Sequence, residues 1–258
     1  MEPMTIREIM DAVGGKLLGE FGDINRMVGR VETDSRTIHA GSLFVPLVGE
    51  RFDGHAYINA ALEGGAAGCF TQRERESYLP GKFYIKVDST QRALRDLAKY
   101  YKKKFPIPVV ALTGSVGKTT TKDMVAAVLG EKYRVLKTEG NLNNEIGVPM
   151  TLLRLSGEHE IAVLELGMNH AGEIDYLSAL VEPDVVLMTN IGDSHIEHFG
   201  SREKILEAKS EIFHHVKSGA FVVINGDDPL LNTLPGKLPY AFTRVGAGEG
   251  LDLSLIHI

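Results

Sequence analysis

The stretch ALTGSVGKTTTKDM (111–124) constrains the fold of this chain more than any other. It runs from the apolar segment IPVVALT through two glycines and a lysine into a segment of helical character. A turn of this kind lets backbone N–H groups approach an anion. Lys118 adds a cation, Thr119 a hydroxyl for a divalent metal, and the start of the helix its dipole. Such loops sit at the C-terminal ends of strands in open α/β sheets, so the sequence predicts a βα unit in a parallel sheet. The loop also departs from the usual G-x-x-x-x-G-K-[ST] pattern, because Leu112 stands where the first glycine belongs. A ligand-free turn could explain GKT alone. The strand before it and the helix after it favour phosphate binding. The expected contacts are Gly114, Ser115, Val116, Gly117, Lys118, Thr119 and Thr120, with Lys118 at an exposed loop position.

The rest of the second half repeats the rhythm. IAVLELG, DVVLMTN and GAFVVING read as apolar strands, and GEIDYLSALV and SREKILEAKSEIFHHV as helices between them. Near-continuous apolar strands alternating with helices imply a parallel sheet covered on both faces. Functional loops are then expected at 114–119, 165–170, 190–195 and 225–228. The first half has another texture. TIREIMDAVG reads as a short helix ending at a glycine pair, SLFVPLVG and FYIKVDS as strands, HAYINAALEGGAAGCFT as helix, break and strand, and QRALRDLAKYYKKKF as a helix. The prolines of FPIP (105–108) stop that helix and stiffen the connection. The expected domains are 1–105 and 106–252, a small α/β domain followed by a P-loop parallel-sheet domain.

Composition narrows the function classes. A net charge of −6 over 258 residues gives no basic footprint for nucleic acid. The single cysteine, Cys69, excludes an internal disulfide, suits a reducing compartment and reads as a small core residue. No apolar run approaches the ~20 residues of a membrane span. The N-terminus lacks the basic and apolar regions of a signal peptide. A cytoplasmic monomer without a membrane or nucleic-acid partner is expected.

Four further motifs follow the loop in order: KTEGNLNNEIGVPMTLL (137–153), LELGMNHAGEI (164–174), TNIGDSHIEHFGS (189–201) and EAKSEIF (207–213). Together with TGSVGKTT they resemble the Mur ligases, ATP-dependent enzymes that join a carboxylate to an amine. LELGMNHAGEI is similar to the branch that joins D-Ala-D-Ala to UDP-MurNAc-tripeptide. ETDSRTIHAGSLFVPLVGERFDGHAYI (32–58) resembles the domain that holds the UDP end of the precursor. Three rival readings remain: the sister branch that adds a diamino acid to the dipeptide precursor, the folylpolyglutamate synthases, and a P-loop switch without ligase activity. Mur ligases commonly carry asparagine where this chain has Val116.

The resemblance implies ATP and Mg²⁺ as cofactors, and UDP-MurNAc-tripeptide and D-Ala-D-Ala as substrates joined through an acyl phosphate. Lys118 would hold the β and γ phosphates, and Thr119, Glu165, His195 and Lys209 the metal, with Lys209 carbamylated. From the residues alone, Lys209 reads as an ordinary surface lysine of a helix. Asn225 would lie near adenine, Asn141 and Asn144 near substrate and phosphates, and Asn169 and His170 at the peptide end. Asp34, Ser35 and Arg36 would meet the UDP-sugar, with Asp53 and His55 in support, although FDGH could equally be a helix-capping turn. Mur ligases have a third, C-terminal domain, which the resemblance expects to be missing here. LSLIHI (253–258) resembles the translation of a transposon end used in sequencing libraries and is expected to be a non-native tail.

Overall fold

The computed structural model describes residues 1–49 and 52–254. The chain divides into two compact units, 1–105 with 152–156, and 106–151 with the residues from 157 onward.

In the first unit the elements are β1 (Met4–Thr5), α1 (Ile6–Val13), β2 (Lys16–Leu18), β3 (Met27–Val28), β4 (Val31–Glu32), β5 (Leu43–Phe44), β6 (Val48–Gly49), β7 (Phe52–Asp53), α2 (Ile58–Glu63), β8 (Gly68–Thr71), β9 (Phe83–Lys86) and α3 (Thr90–Lys102). Thr5 and Glu8 close a reciprocal capping box on α1, and Gly14 ends it in the left-handed region at φ +60°. The sheet runs β2-β9-β8-β5-β4, parallel except for β2 against β9. SLFVPLVG, expected as one strand, splits into β5 and β6. Cys69 on β8 is buried in the core with Phe44, Ile58 and Tyr84.

In the second unit the elements are β10 (Val109–Thr113), α4 (Lys118–Gly130), β11 (Val135–Lys137), α5 (Gly147–Leu152), β12 (Ile161–Glu165), α6 (Glu173–Val181), β13 (Val185–Met188), α7 (Ile196–Phe199), α8 (Arg202–Ser210), β14 (Phe221–Asn225), β15 (Phe242–Gly246) and β16 (Leu253–Ser254). One parallel seven-stranded sheet runs β11-β12-β10-β13-β14-β15-β16. The chain leaves β10 towards one edge and returns from β12 to the other side of β10, so the crevice between these two strands' C-terminal ends is the switch point where ligands bind in such sheets. Leu112 is wholly buried against Ala126 of α4 and Val163 of β12. The residue that replaces the pattern's first glycine is therefore part of the core.

SREKILEAKSEIFHHV is not one helix: α8 stops at Ser210 and a 3₁₀ turn, Glu211–His215, follows. Of the expected tail, Leu253–Ser254 pair with Val245 and Gly246 of β15, and 255–258 lie outside the described residues. Among the described residues no helix is long and apolar enough to cross a membrane.

Candidate active site

All five residues of β10 are buried, and the loop leaves the sheet where β10 ends. Gly114 takes φ +153°, and a Cβ there would collide with Thr189 Oγ1. Gly117 takes φ +81° as the N-cap of α4, a backbone state that costs glycine nothing. Lys118 is the first residue of α4 and half-buried, which corrects the exposed loop position expected for it. Its Nζ donates to the carbonyls of Gly114 at 3.0 Å and Ser115 at 3.4 Å. Burial pulls its pKa below the usual lysine range, with Glu165 acting in the opposite direction. Thr120 is exposed on the first turn.

Glu165 ends β12, beside Leu112 of β10, and is 1% exposed. One carboxylate oxygen accepts from Thr119 Oγ1 at 2.9 Å, and the other from Asn143 Nδ2 at 2.7 Å. Asn143 was not singled out in the sequence. Its neighbour Asn144 caps α5 instead, accepting from the N–H groups of Ile146 and Gly147. A cavity of about 210 Å³ opens here, lined by Lys118, the three asparagines 141, 143 and 144, the segment 167–169, Glu173 and His195. Asn169 and His170 are exposed beside it. Glu173 accepts from the Asn169 N–H at 2.7 Å and pairs with His170 Nδ1 at 3.1 Å.

His195 closes the loop after β13 and has φ +67°, one of two non-glycine residues with positive φ among those described. Such a backbone state is held by its surroundings and concentrates at functional sites. Here Asp228, 8% exposed, accepts from the Ile191 N–H at 2.7 Å, and Ser115 Oγ accepts from the Gly192 N–H at 2.8 Å. Burial, then the charges of Lys209 and Lys118, lower the His195 pKa and so favour the neutral imidazole.

Lys209 is 2% exposed. The surface position read from the sequence is overturned, and the physical reason is its place on the helix. Ile205, Ala208 and Lys209 form the inward stripe of α8, continued by the buried Ile212. Burial, and secondarily Lys118, push its pKa down to about 7. Lys118, Thr119, Glu165, His195 and Lys209 are thus gathered around one site. Asn225 lies apart. It lines a shallow cavity of about 240 Å³ with Thr121, Leu187, Thr189 and Val245, and its side chain accepts from the Asp227 N–H.

In the first unit, a cavity of about 410 Å³ is lined by 33–36, Phe44, Phe52, Gly54 and Tyr57. The Arg36 side chain is 86% exposed. Its Nε and Nη2 donate to Asp34, and this pairing holds the Asp34 carboxyl at about 2. Phe52 and Tyr57, which the sequence did not single out, stack at 5.5 Å. Asp53 caps the 3₁₀ turn Gly54–Tyr57, accepting from the N–H and Nδ1 of His55, while His55 Nε2 accepts from the Gln72 N–H at 3.1 Å. Both ring nitrogens of His55 are therefore used within the protein, as in the capping alternative. A Cβ on Gly54 would lie 2.7 Å from the Leu47 carbonyl oxygen. Gly54→Ala is expected to cost about 1–3 kcal/mol through forced backbone displacement. A thermal melt lowered by several degrees checks this, and an unchanged melt refutes it.

Known proteins resemble this chain in sequence and fold. The sequence pattern of the Mur ligase middle domain matches residues 112–251, and that of the Mur ligase family catalytic domain residues 28–102. The UDP-N-acetylmuramoyl-tripeptide–D-alanyl-D-alanine ligase of Bacillus subtilis (strain 168) is 46% identical over 227 residues, 88% of this chain and 50% of that protein. Its Escherichia coli (strain K12) counterpart is 42% identical over 228 residues, 88% of this chain and 49% of that protein. The crystal structure of MurF from Acinetobacter baumannii superposes with a TM-score of 0.89 at 36% identity, covering 98% of this chain and 55% of that one. MurF from Thermotoga maritima, in complex with ADP, gives 0.78 at 37% identity, covering 86% and 51%. The chain thus spans about half the length of the relatives it matches. Since the middle-domain match alone takes in more than half of its residues, the chain belongs to the Mur ligase family.

Proposed function

We propose that the full-length protein is an ATP-dependent ligase that adds D-Ala-D-Ala to UDP-MurNAc-tripeptide through an acyl phosphate, in the cytoplasm where these nucleotide-linked precursors and ATP occur. The observation that carries the reading is the gathering of Lys118, Thr119, Glu165, His195 and Lys209 at the switch point of a parallel sheet. The similarity to the D-alanyl-D-alanine-adding branch over 88% of the chain supports the choice of substrate.

Phosphoryl transfer asks mainly for positioning and charge neutralisation. Lys118 supplies a cation that can leave the loop carbonyls for phosphate oxygens. Thr119 and Glu165, hydrogen-bonded at 2.9 Å, offer the hydroxyl and single buried carboxylate that suit a hard cation such as Mg²⁺. With His195 neutral and Lys209 carbamylated, each could add a ligand atom. Mg²⁺, when bound, neutralises charge on the transferring phosphoryl group. Asn143 fixes the Glu165 carboxylate from its other side. The terminal carboxylate of the tripeptide attacks the γ phosphorus and ADP leaves. The amine of D-Ala-D-Ala then attacks the acyl carbon, loses a proton and expels phosphate. Asn141, Asn144, Asn169 and His170 border the cavity where the peptide end would lie, Asn225 the adenine side, and Asp34, Ser35 and Arg36 the uridine-nucleotide pocket of the first unit. The Asp34–Arg36 pair would shape that pocket, with Phe52 and Tyr57 as an aromatic wall.

Phosphate release by the full-length protein is expected only when UDP-MurNAc-tripeptide and D-Ala-D-Ala are both present. Turnover with the dipeptide precursor and a diamino acid would move the protein to the sister branch. Hydrolysis needing neither substrate would make it a nucleotide switch.

A further inference from the structure

The phosphate loop keeps a tight turn although the pattern's first glycine is a core leucine, so something else must hold its shape. The hydrogen bonds name the brace. Val116, at the loop tip, is 61% exposed. Its N–H donates to Asn190 Oδ1 at 2.9 Å, and its carbonyl accepts from Asn190 Nδ2 at 3.1 Å and from Thr189 Oγ1 at 2.7 Å. One side-chain amide thus pairs with both polar groups of one backbone residue, as an adjacent strand would. The Ser115 N–H donates to the Asn190 carbonyl at 2.9 Å. Gly114 can only be glycine because Thr189 Oγ1 occupies the space of a Cβ. Three successive loop residues are therefore shaped by the two residues that follow β13, and those residues lead on to His195.

We propose that Asn190 is a positioning residue of the phosphate loop: its side-chain amide clamps the Val116 backbone from outside the loop and sets the geometry in which the loop meets phosphates. The N–H groups of Ser115 and Val116 are both spent on Asn190, which leaves the ligand to the N–H groups that follow them, from Gly117 into the start of α4. The clamp also makes residue 116 tolerant in its side chain, since only its backbone is read. That accounts for a bare, exposed valine at the tip of a phosphate loop. Because Asn190 and His195 share one loop, the clamp fixes the distance between the phosphate site and the imidazole.

This inference rests on the reading of 114–119 as a nucleotide phosphate loop, and the test separates the two. In the nucleotide-free chain, amide hydrogen exchange at Val116 is expected to be slow despite its exposure, and at least tenfold faster in Asn190→Ala. ADP affinity of that variant is expected to fall about tenfold, as for the loss of one or two neutral hydrogen bonds. AMP affinity and the melting temperature should change little, which a general loosening of the unit would not spare. Thr189→Ser, which keeps its hydroxyl, should behave as the parent. Thr189→Val should show a smaller loss and serves if Asn190→Ala does not fold. Unchanged Val116 exchange, or ADP affinity within twofold of the parent, would overturn the clamp. Lys118→Ala is the control: undiminished ADP affinity there would overturn the phosphate-loop reading itself, whatever Asn190 does.

Discussion

Lys118→Ala is expected to abolish acyl-phosphate formation by the full-length protein, by about a thousandfold or more, while the fold survives. A preorganised cation at a transferring phosphoryl group is worth several kcal/mol to the transition state, on the scale of other fixed donors in closed sites. The local geometry says why the fold should not suffer. The ammonium's hydrogen bonds run to two carbonyls of its own loop, Gly114 and Ser115. Water can replace them at a cost of about 1 kcal/mol. Burial already disfavours the charge, so removing it offsets part of that cost. An isotope-labelled phosphate assay on the tripeptide substrate reads the chemistry, and a thermal melt reads the fold. Near-normal turnover would sink the ATP assignment. Lost turnover with a collapsed melt would point to a structural lysine instead.

The parallel sheet was legible because its central strands are apolar throughout: every residue of β10 is buried, and four of five in β12. The edges were not. β11 is three residues long with an exposed lysine, and β15 carries only one fully buried residue, so neither shows a period a reader could find. Those strands form because β12 and β14 offer open edges, which is tertiary information. The same distinction runs through the site. Glu165 ends a strand, and Lys118 and Thr119 open the helix after one, positions that sequence alone marks. Asn143 is one of three amides in four residues, and only the fold decides which reaches Glu165. Asn190 acts through a backbone 74 residues away. Asp34, two residues before Arg36, engages its guanidinium, a pairing that the sequence does not announce.

Lys209 gives the second large effect, and it should separate stability from activity. An ordinary lysine titrates near 10.5 and is almost wholly charged at pH 7. Lys209 is pushed down to about 7 by burial first and by Lys118 second, so the free amine is populated at neutral pH, as it is not in an ordinary lysine. A free amine can add CO₂, releasing one proton and forming a carbamate. The product is an anion beside Lys118, where the ammonium was a repelled cation. The linkage sign follows. The unfolded chain holds this proton up to about 10.5 and the folded chain loses it near 7. Unmodified Lys209 therefore destabilises the fold at neutral pH, and the penalty fades as pH rises towards 10.5. Lys209→Met, which keeps the side-chain volume, is expected to raise the melting temperature at pH 7, with a smaller gain at pH 9.5. Lys209→Ala is expected to cut ligation by the full-length protein at least a hundredfold, on the scale of removing a group that organises charge at a phosphoryl centre. A short carboxylic acid in the buffer should restore part of it, by placing a carboxylate where the carbamate would be. Loss without rescue would leave Lys209 a cation or a structural residue, and unchanged ligation would remove it from the site. A lysine that weakens the fold and yet cannot be dispensed with is what a carbamate placed to hold Mg²⁺ would require. A lysine kept only for packing would share the gain in Lys209→Met, which follows from burial of its charge, but would not show the rescue in Lys209→Ala.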